Sequence, residues 1–151
     1  MSSDTFAVTS LFQLTIGVHA LGSFTSCDGL GCYTEVEERR EGGLNGHVWQ
    51  LPGRLRYSNL TLSRPLTRQT TLIWLWLRQV SQATGVPLTR PLRLPGRLVA
   101  LGPDQQPLVQ WELDGVIPVR WSGPSFSTDQ PQAARETLEI AHNGFIGITH
   151  L

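Results

Sequence analysis

Apolar and polar residues alternate with a period of two along most of the 151-residue chain, which is the pattern of half-buried β-strands. Phe12, Leu14, Ile16 and Val18 alternate with Gln13, Thr15 and Gly17 and predict a first strand. From residue 32 to 41, Glu35, Glu37 and Arg39 share one face while Thr34 and Val36 share the other. Residues 57–64 turn Leu60 and Leu62 inward and Asn59, Thr61 and Ser63 outward. Further strands are predicted over 97–101, 108–113 and 116–121, with Asp114-Gly115 between the last two as a hairpin signal. Near the end, "ETLEIAHNGF" sets Glu136, Leu138 and Ile140 against Thr137, Glu139 and Ala141. Leu138 and Ala141 also suit a helix, but the Thr and Ile content favours a strand that Asn143-Gly144 ends.

One segment changes period. From about residue 70 to 84, Ile73, Trp76, Leu77, Val80 and Ala83 recur at helical spacing, with Arg78, Ser81 and Gln82 opposite. Threonines precede it as N-cap candidates, Gly85 can end it, and Pro87 stops its continuation. Trp74 and Leu75 widen the apolar stripe beyond what one sheet needs, so the helix is expected to touch something more. The predicted fold is mainly β: a single domain over 1–151, an antiparallel two-sheet sandwich or barrel with one flanking helix. A short flexible start (1–8) and a C-terminal extension (146–151) complete it.

The stretch "GGLNGHVWQLPGR" over 42–54 fits neither period. Its glycines and proline make a poor helix or strand, so a long loop is predicted over about 42–56. That loop nevertheless carries Leu44, Val48, Trp49 and Leu51, which a solvated loop does not favour. "LPGRL" occurs at 51–55 and again at 94–98, ahead of a strand each time, and reads as turn chemistry. A second surface of this kind is "VRWSGPSF" over 119–126, where Trp121 and Phe126 flank a Ser-Gly-Pro turn.

Composition narrows the function. Basic and acidic residues balance at twelve each, so no net field recruits nucleic acid or an anionic membrane. All twelve basic residues are arginine, which excludes lysine Schiff bases and the P-loop lysine. Charged residues make up 16% against a norm of about 25%, which suits an assembly that hides surface. The N-terminus shows no export signal, and no apolar run is long enough to span a membrane; cytoplasmic synthesis without a signal peptide or membrane anchor is the expectation. Cys27 and Cys32 in "SCDGLGC" are expected to be reduced thiols beside a turn. His19, His47, His142 and His150 are scattered, and no HExxH, GxSxG or GxGxxG occurs. No catalytic, cofactor or metal residues are therefore assigned. A ligand-binding barrel remains as the alternative, requiring a cavity lined by Trp111 and Trp121, and a hydrolase built on Cys27 is a third reading.

Taken in order, "SCDGLGC", "EVEERREGGLNGHVWQLPGRLRYSNLTLSRPLT", the Trp-rich helix, "PVRWSGPSF" and "ETLEIAHNGF" resemble the tail tube proteins of contractile phage tails. They are similar too to the relatives of those proteins in extracellular contractile injection systems. The resemblance runs from about residue 12 to 145. It departs at Pro65, where glycine is frequent, and at the closing "IGITHL". It implies six subunits per ring and rings stacked into a hollow rigid tube, either the main tube or its initiator ring. A sheath drives such a tube through a target envelope. Implied partners are further copies of the chain, a sheath protein, a baseplate or spike hub and a tail terminator, with cargo or DNA in the lumen. The family's long loop reaches neighbouring subunits and the adjacent ring; here that implies Leu44, Asn45, His47, Val48, Trp49, Leu51 and Pro52 as contacts. Trp74, Trp121 and Phe126 are further interface candidates, and Glu35, Glu37, Asn59 and Thr61 are candidates for the lumen.

Overall fold

Ten strands and one helix make up the computed structural model, which describes residues 8–40, 46, 48–83, 93–124, 129 and 134–150. In chain order they are β1 (Leu11–Ile16), β2 (His19–Phe24), β3 (Ser26–Asp28), β4 (Cys32–Arg40), β5 (Val48–Tyr57) and β6 (Leu60–Pro65). Then follow α1 (Thr70–Ala83), β7 (Leu94–Leu101), β8 (Pro107–Ser122), β9 (Arg135–Ala141) and β10 (Phe145–His150). Eight strands form one antiparallel system in the order β2-β1-β7-β8-β9-β6-β3, with β10 also on β8; β4 and β5 pair apart from it.

The long strand β8 divides that system in two. It pairs with β10 up to Leu113 and with β7 up to Val116, and from Ile117 onward it pairs with β9. The change of partners falls just after Asp114-Gly115, where the sequence suggests a hairpin. No reversal occurs there. Gly115 takes a left-handed φ of 57°, and beside it Asn143 N donates to Asp114 O at 2.8 Å. A single left-handed residue re-aims the strand, whereas a tight hairpin would need the two flanking segments to pair with each other. They pair instead with different partners, so β8 bends from one sheet into the other and the β9–β10 course bends with it.

The two halves share one core. Leu14, Ile16, Leu98 and Leu113 come from one side and Leu60, Leu62, Leu138 and Ile140 from the other. Leu60 and Leu62 are on the inward face that the period-two pattern assigns, and Leu14 with Ile16 and Leu138 with Ile140 share a face as that pattern groups them. α1 closes the core with Ile73 and Trp76, both fully buried, while Trp74 and Leu75 remain exposed. Its first turn is held by Thr67, whose Oγ1 accepts from Gln69 N at 3.2 Å and whose carbonyl accepts from Thr70 N.

Four more expectations change. Residues 48–57 are strand, not loop: β5 pairs with β4 from Arg40↔Val48 to Cys32↔Tyr57. Both "LPGRL" copies lie inside strands, β5 and β7, and each sits at a register shift. There a Cβ on Gly53 would meet the Glu35 carbonyl at 2.7 Å, and one on Gly96 would meet Val116 Cγ2 at 2.7 Å. The repeat is therefore a bulge in which Pro and Gly are tolerated and backbone comes close. Residues 57–64 are also not one strand, since Ser58 and Asn59 separate β5 from β6, and residues 145–150 form β10.

Candidate assembly surfaces

Every residue of β4, and every residue of β5 up to Arg56, is exposed. The two strands form an arm without a third strand or a covering layer among the described residues. Directly paired residues share a face, so one face carries Glu37 with Leu51 and Arg39 with Trp49. The other carries Val36 with Pro52 and Arg40 with Val48. Trp49 is 55% exposed and Tyr33, Val36, Val48, Leu51 and Leu55 are exposed with it. A lone two-stranded ribbon is marginal in water, and so much apolar surface on both faces marks a contact site. One ion pair stiffens the ribbon: Arg56 Nε donates to Glu35 Oε1 at 2.8 Å, where both groups are half exposed and the pair is weak.

The root of the arm is better fixed. Tyr57 meets Phe145 edge-on at 5.3 Å between ring centroids, and His142 lies 5.7 Å from Tyr57. His142 Nδ1 accepts from Gly144 N at 3.1 Å, and its Nε2 is buried without a hydrogen-bond partner. Burial lowers the His142 pKa below its ordinary value.

A second surface lies beside α1. An open groove of about 290 Å³ is lined by Thr67, Arg68, Thr70, Thr71, Ile73, Trp74, Leu77 and Trp121. Its walls are pinned from below by a buried ion pair. Arg64 Nε donates to Glu136 Oε1 at 2.5 Å, and Arg64 Nη1 donates to the Leu21 carbonyl at 2.7 Å. Glu136 Oε2 accepts from Thr70 Oγ1 and from Trp121 Nε1, each at 3.1 Å. The guanidinium also stacks 4.4 Å over the Phe24 ring. One carboxylate thus sets the start of α1 and the end of β8 at fixed separation.

The residues singled out in the sequence fall into separate places. Val48, Trp49, Leu51 and Pro52 lie together on the arm; Leu44, Asn45 and His47 lie outside the described residues, as does Phe126. Trp74 and Trp121 meet at the groove. Glu35 and Glu37 are on the arm, whereas Asn59 and Thr61 lie beside β9, where Asn59 Nδ2 donates to Glu139 Oε1 at 3.1 Å. Trp111 and Trp121 are ten positions apart on β8, on either side of its bend: Trp121 pairs with Leu138 and lines the groove beside α1, whereas Trp111 pairs with Leu98 and is not part of that groove. Cys27 is half-buried and Cys32 exposed, and both are free thiols. Among the described residues no cluster of three metal-ligating side chains occurs, and no helix is long and apolar enough to cross a membrane.

Arg64 and Glu136 are what sequence reasoning missed. The signal was available: Arg64 continues the inward series Leu60, Leu62, and Glu136 precedes the inward pair Leu138, Ile140. Two opposite charges on inward faces of neighbouring strands have to be partners.

A protein-family model described as T4-like virus tail tube protein gp19 matches residues 8–146. Among solved structures, the chain is similar to one in the sheath-tube complex of an extracellular contractile injection system, PVC, in its extended state. That match has a TM-score of 0.75 at 17% identity and covers 98% of this chain and 94% of the other. A chain of the anti-feeding prophage tube terminating cap matches with a TM-score of 0.73 at 19% identity, covering 100% and 95%. A chain of the anti-feeding prophage baseplate matches at 0.71 and 21%, covering 99% and 98%. At these identities the likeness establishes the fold. Against curated protein sequences no match was found.

Proposed function

The chain belongs to the tail tube protein family, and from that premise we propose that it is the inner-tube subunit of a contractile injection particle or phage tail. Subunits close into six-membered rings and the rings stack into a hollow tube, which a contracting sheath drives through a target envelope. The observation that carries this reading is the β4–β5 arm, a ribbon with apolar side chains exposed on both faces and a root anchored in the core. Such a ribbon is stable only when another surface covers it.

Assembly follows from symmetry. A head-to-tail contact that closes makes a ring and hides sheet edges, while one that does not close propagates along an axis. The tube's task is then mechanical, and the family points to a structural role without catalysis. Sheath, baseplate and terminator are its proposed partners, supported by the kinds of complex in which the similar folds occur.

Negative-stain microscopy of the purified protein tests the reading. Rings or stacked tubes with a central channel are the expected result. A monodisperse monomer at high concentration, binding a small apolar ligand with a shift in tryptophan fluorescence, would replace it with the ligand-binding alternative.

A further inference from the structure

The arm and the groove sit at opposite ends of one strand. β6 begins at Leu60, just after the arm ends at Tyr57, and finishes at Pro65, just before Thr67 on the groove's rim. Five strand steps separate these ends by roughly 17 Å. The arm is exposed along its length, and it does not cover the groove of its own chain, where Trp74 stays 56% exposed.

We propose that the groove beside α1 receives the arm of a second copy of this chain, with Trp49 and Leu51 seated between Trp74 and Trp121. This rests on the tube reading above and names the receptor for its arm. Volume agrees, since about 290 Å³ accommodates an indole. Charge sets the direction of seating. The arm face carries Glu37 across from Leu51 and Arg39 across from Trp49, so the Leu51 end, not the Trp49 end, is placed toward the exposed Arg68 on the groove's rim. A projection at one end and its receptor at the other give a heterologous contact, which repeats from copy to copy and in a stack of rings joins each ring to the next. The Arg64–Glu136 pair makes the receptor rigid before docking, because its carboxylate holds both walls through Thr70 and Trp121.

Cysteine cross-linking tests the contact. In a Cys32→Ser background, Leu51→Cys and Thr71→Cys are combined, assemblies are oxidised, and products are separated without reductant. A ladder of covalently linked chains is expected. A link within single chains, or none in particles that stack normally, would overturn the groove as receptor and leave the tube reading standing. Parent protein that never stacks would remove the tube reading itself. Charge reversal gives an independent measurement: Glu37→Arg and Arg68→Glu should each shorten or abolish stacks, and the two together should restore them. Single variants that stack like the parent, or a double variant no better than either, would overturn the proposal.

Discussion

Arg64 and Glu136 are joined at 2.5 Å with 2% and 0% of their side chains exposed, an ion pair wholly inside a β fold. Charges so placed are destabilising unless each is answered, and here Leu21, Phe24, Thr70 and Trp121 supply further contacts. Arg64→Met leaves the buried Glu136 carboxylate without its counter-charge, held only by Thr70 and Trp121, and should cost about 3–5 kcal/mol in urea unfolding. The double variant Arg64→Met, Glu136→Met should cost less than Arg64→Met alone. A larger loss in the double variant would mean that the pair itself supplies net stability.

The helix divides its tryptophans between two tasks. Trp76→Ala should destabilise the isolated subunit by about 3–5 kcal/mol, the usual range for a buried large aromatic. Trp74→Ala should stay within about 0.5 kcal/mol, as expected of an exposed position, and should weaken assembly. Equal shifts in melting temperature with assembly unchanged would show that α1 serves only its own core.

Acid should loosen the root of the arm. Burial lowers the His142 pKa in the folded chain below the ordinary 6.5, so the unfolded chain takes up the proton first. The stability contributed by neutral His142 is complete above 6.5 and is lost as pH falls through the lowered folded value. Protonation also sets a ring N–H against the Gly144 N–H that Nδ1 now accepts. Melting temperature should therefore fall from pH 7 to 5, before most carboxylates titrate, and His142→Phe should flatten that slope. An unchanged slope in the variant would acquit His142.

The thiols should differ in reactivity. The Cys27 thiol is pushed up to about 12, chiefly by burial and further by the Asp28 charge, while Cys32 is exposed at the start of β4. Near pH 8 a disulfide reagent should titrate one thiol promptly in native protein and the second only after unfolding. Two equally fast thiols would show that β3 opens readily.

What was legible in the sequence was whatever burial alone decides. Leu60, Leu62, Leu138 and Ile140 alternate because one face of their strands meets the core, and Ile73 and Trp76 share a helix face for the same reason. Where one local signal serves two geometries, the sequence misleads. Asp114-Gly115 supplies a positive φ that a hairpin and a strand kink both use, and only the partners of β8 decide between them. The arm shows no clean alternation of burial because, among the described residues, neither of its faces is covered. Its Pro52-Gly53 bulge further disguises it as loop. The groove was half legible: Trp74 and Trp121 were identified as surface contacts, but the carboxylate that brings Trp121 and Thr70 together lies in a third segment.

Microscopy of the Trp49→Ser, Leu51→Ser variant beside the parent protein tests most directly that this arm builds the tube. Both side chains are exposed in the subunit, so the variant's unfolding free energy should stay within about 0.5 kcal/mol of the parent's. The parent should form long stacked tubes, and the variant should stop at single rings or subunits, because it lacks the apolar centre of a repeated contact. A variant that folds normally and still builds long tubes would contradict the account.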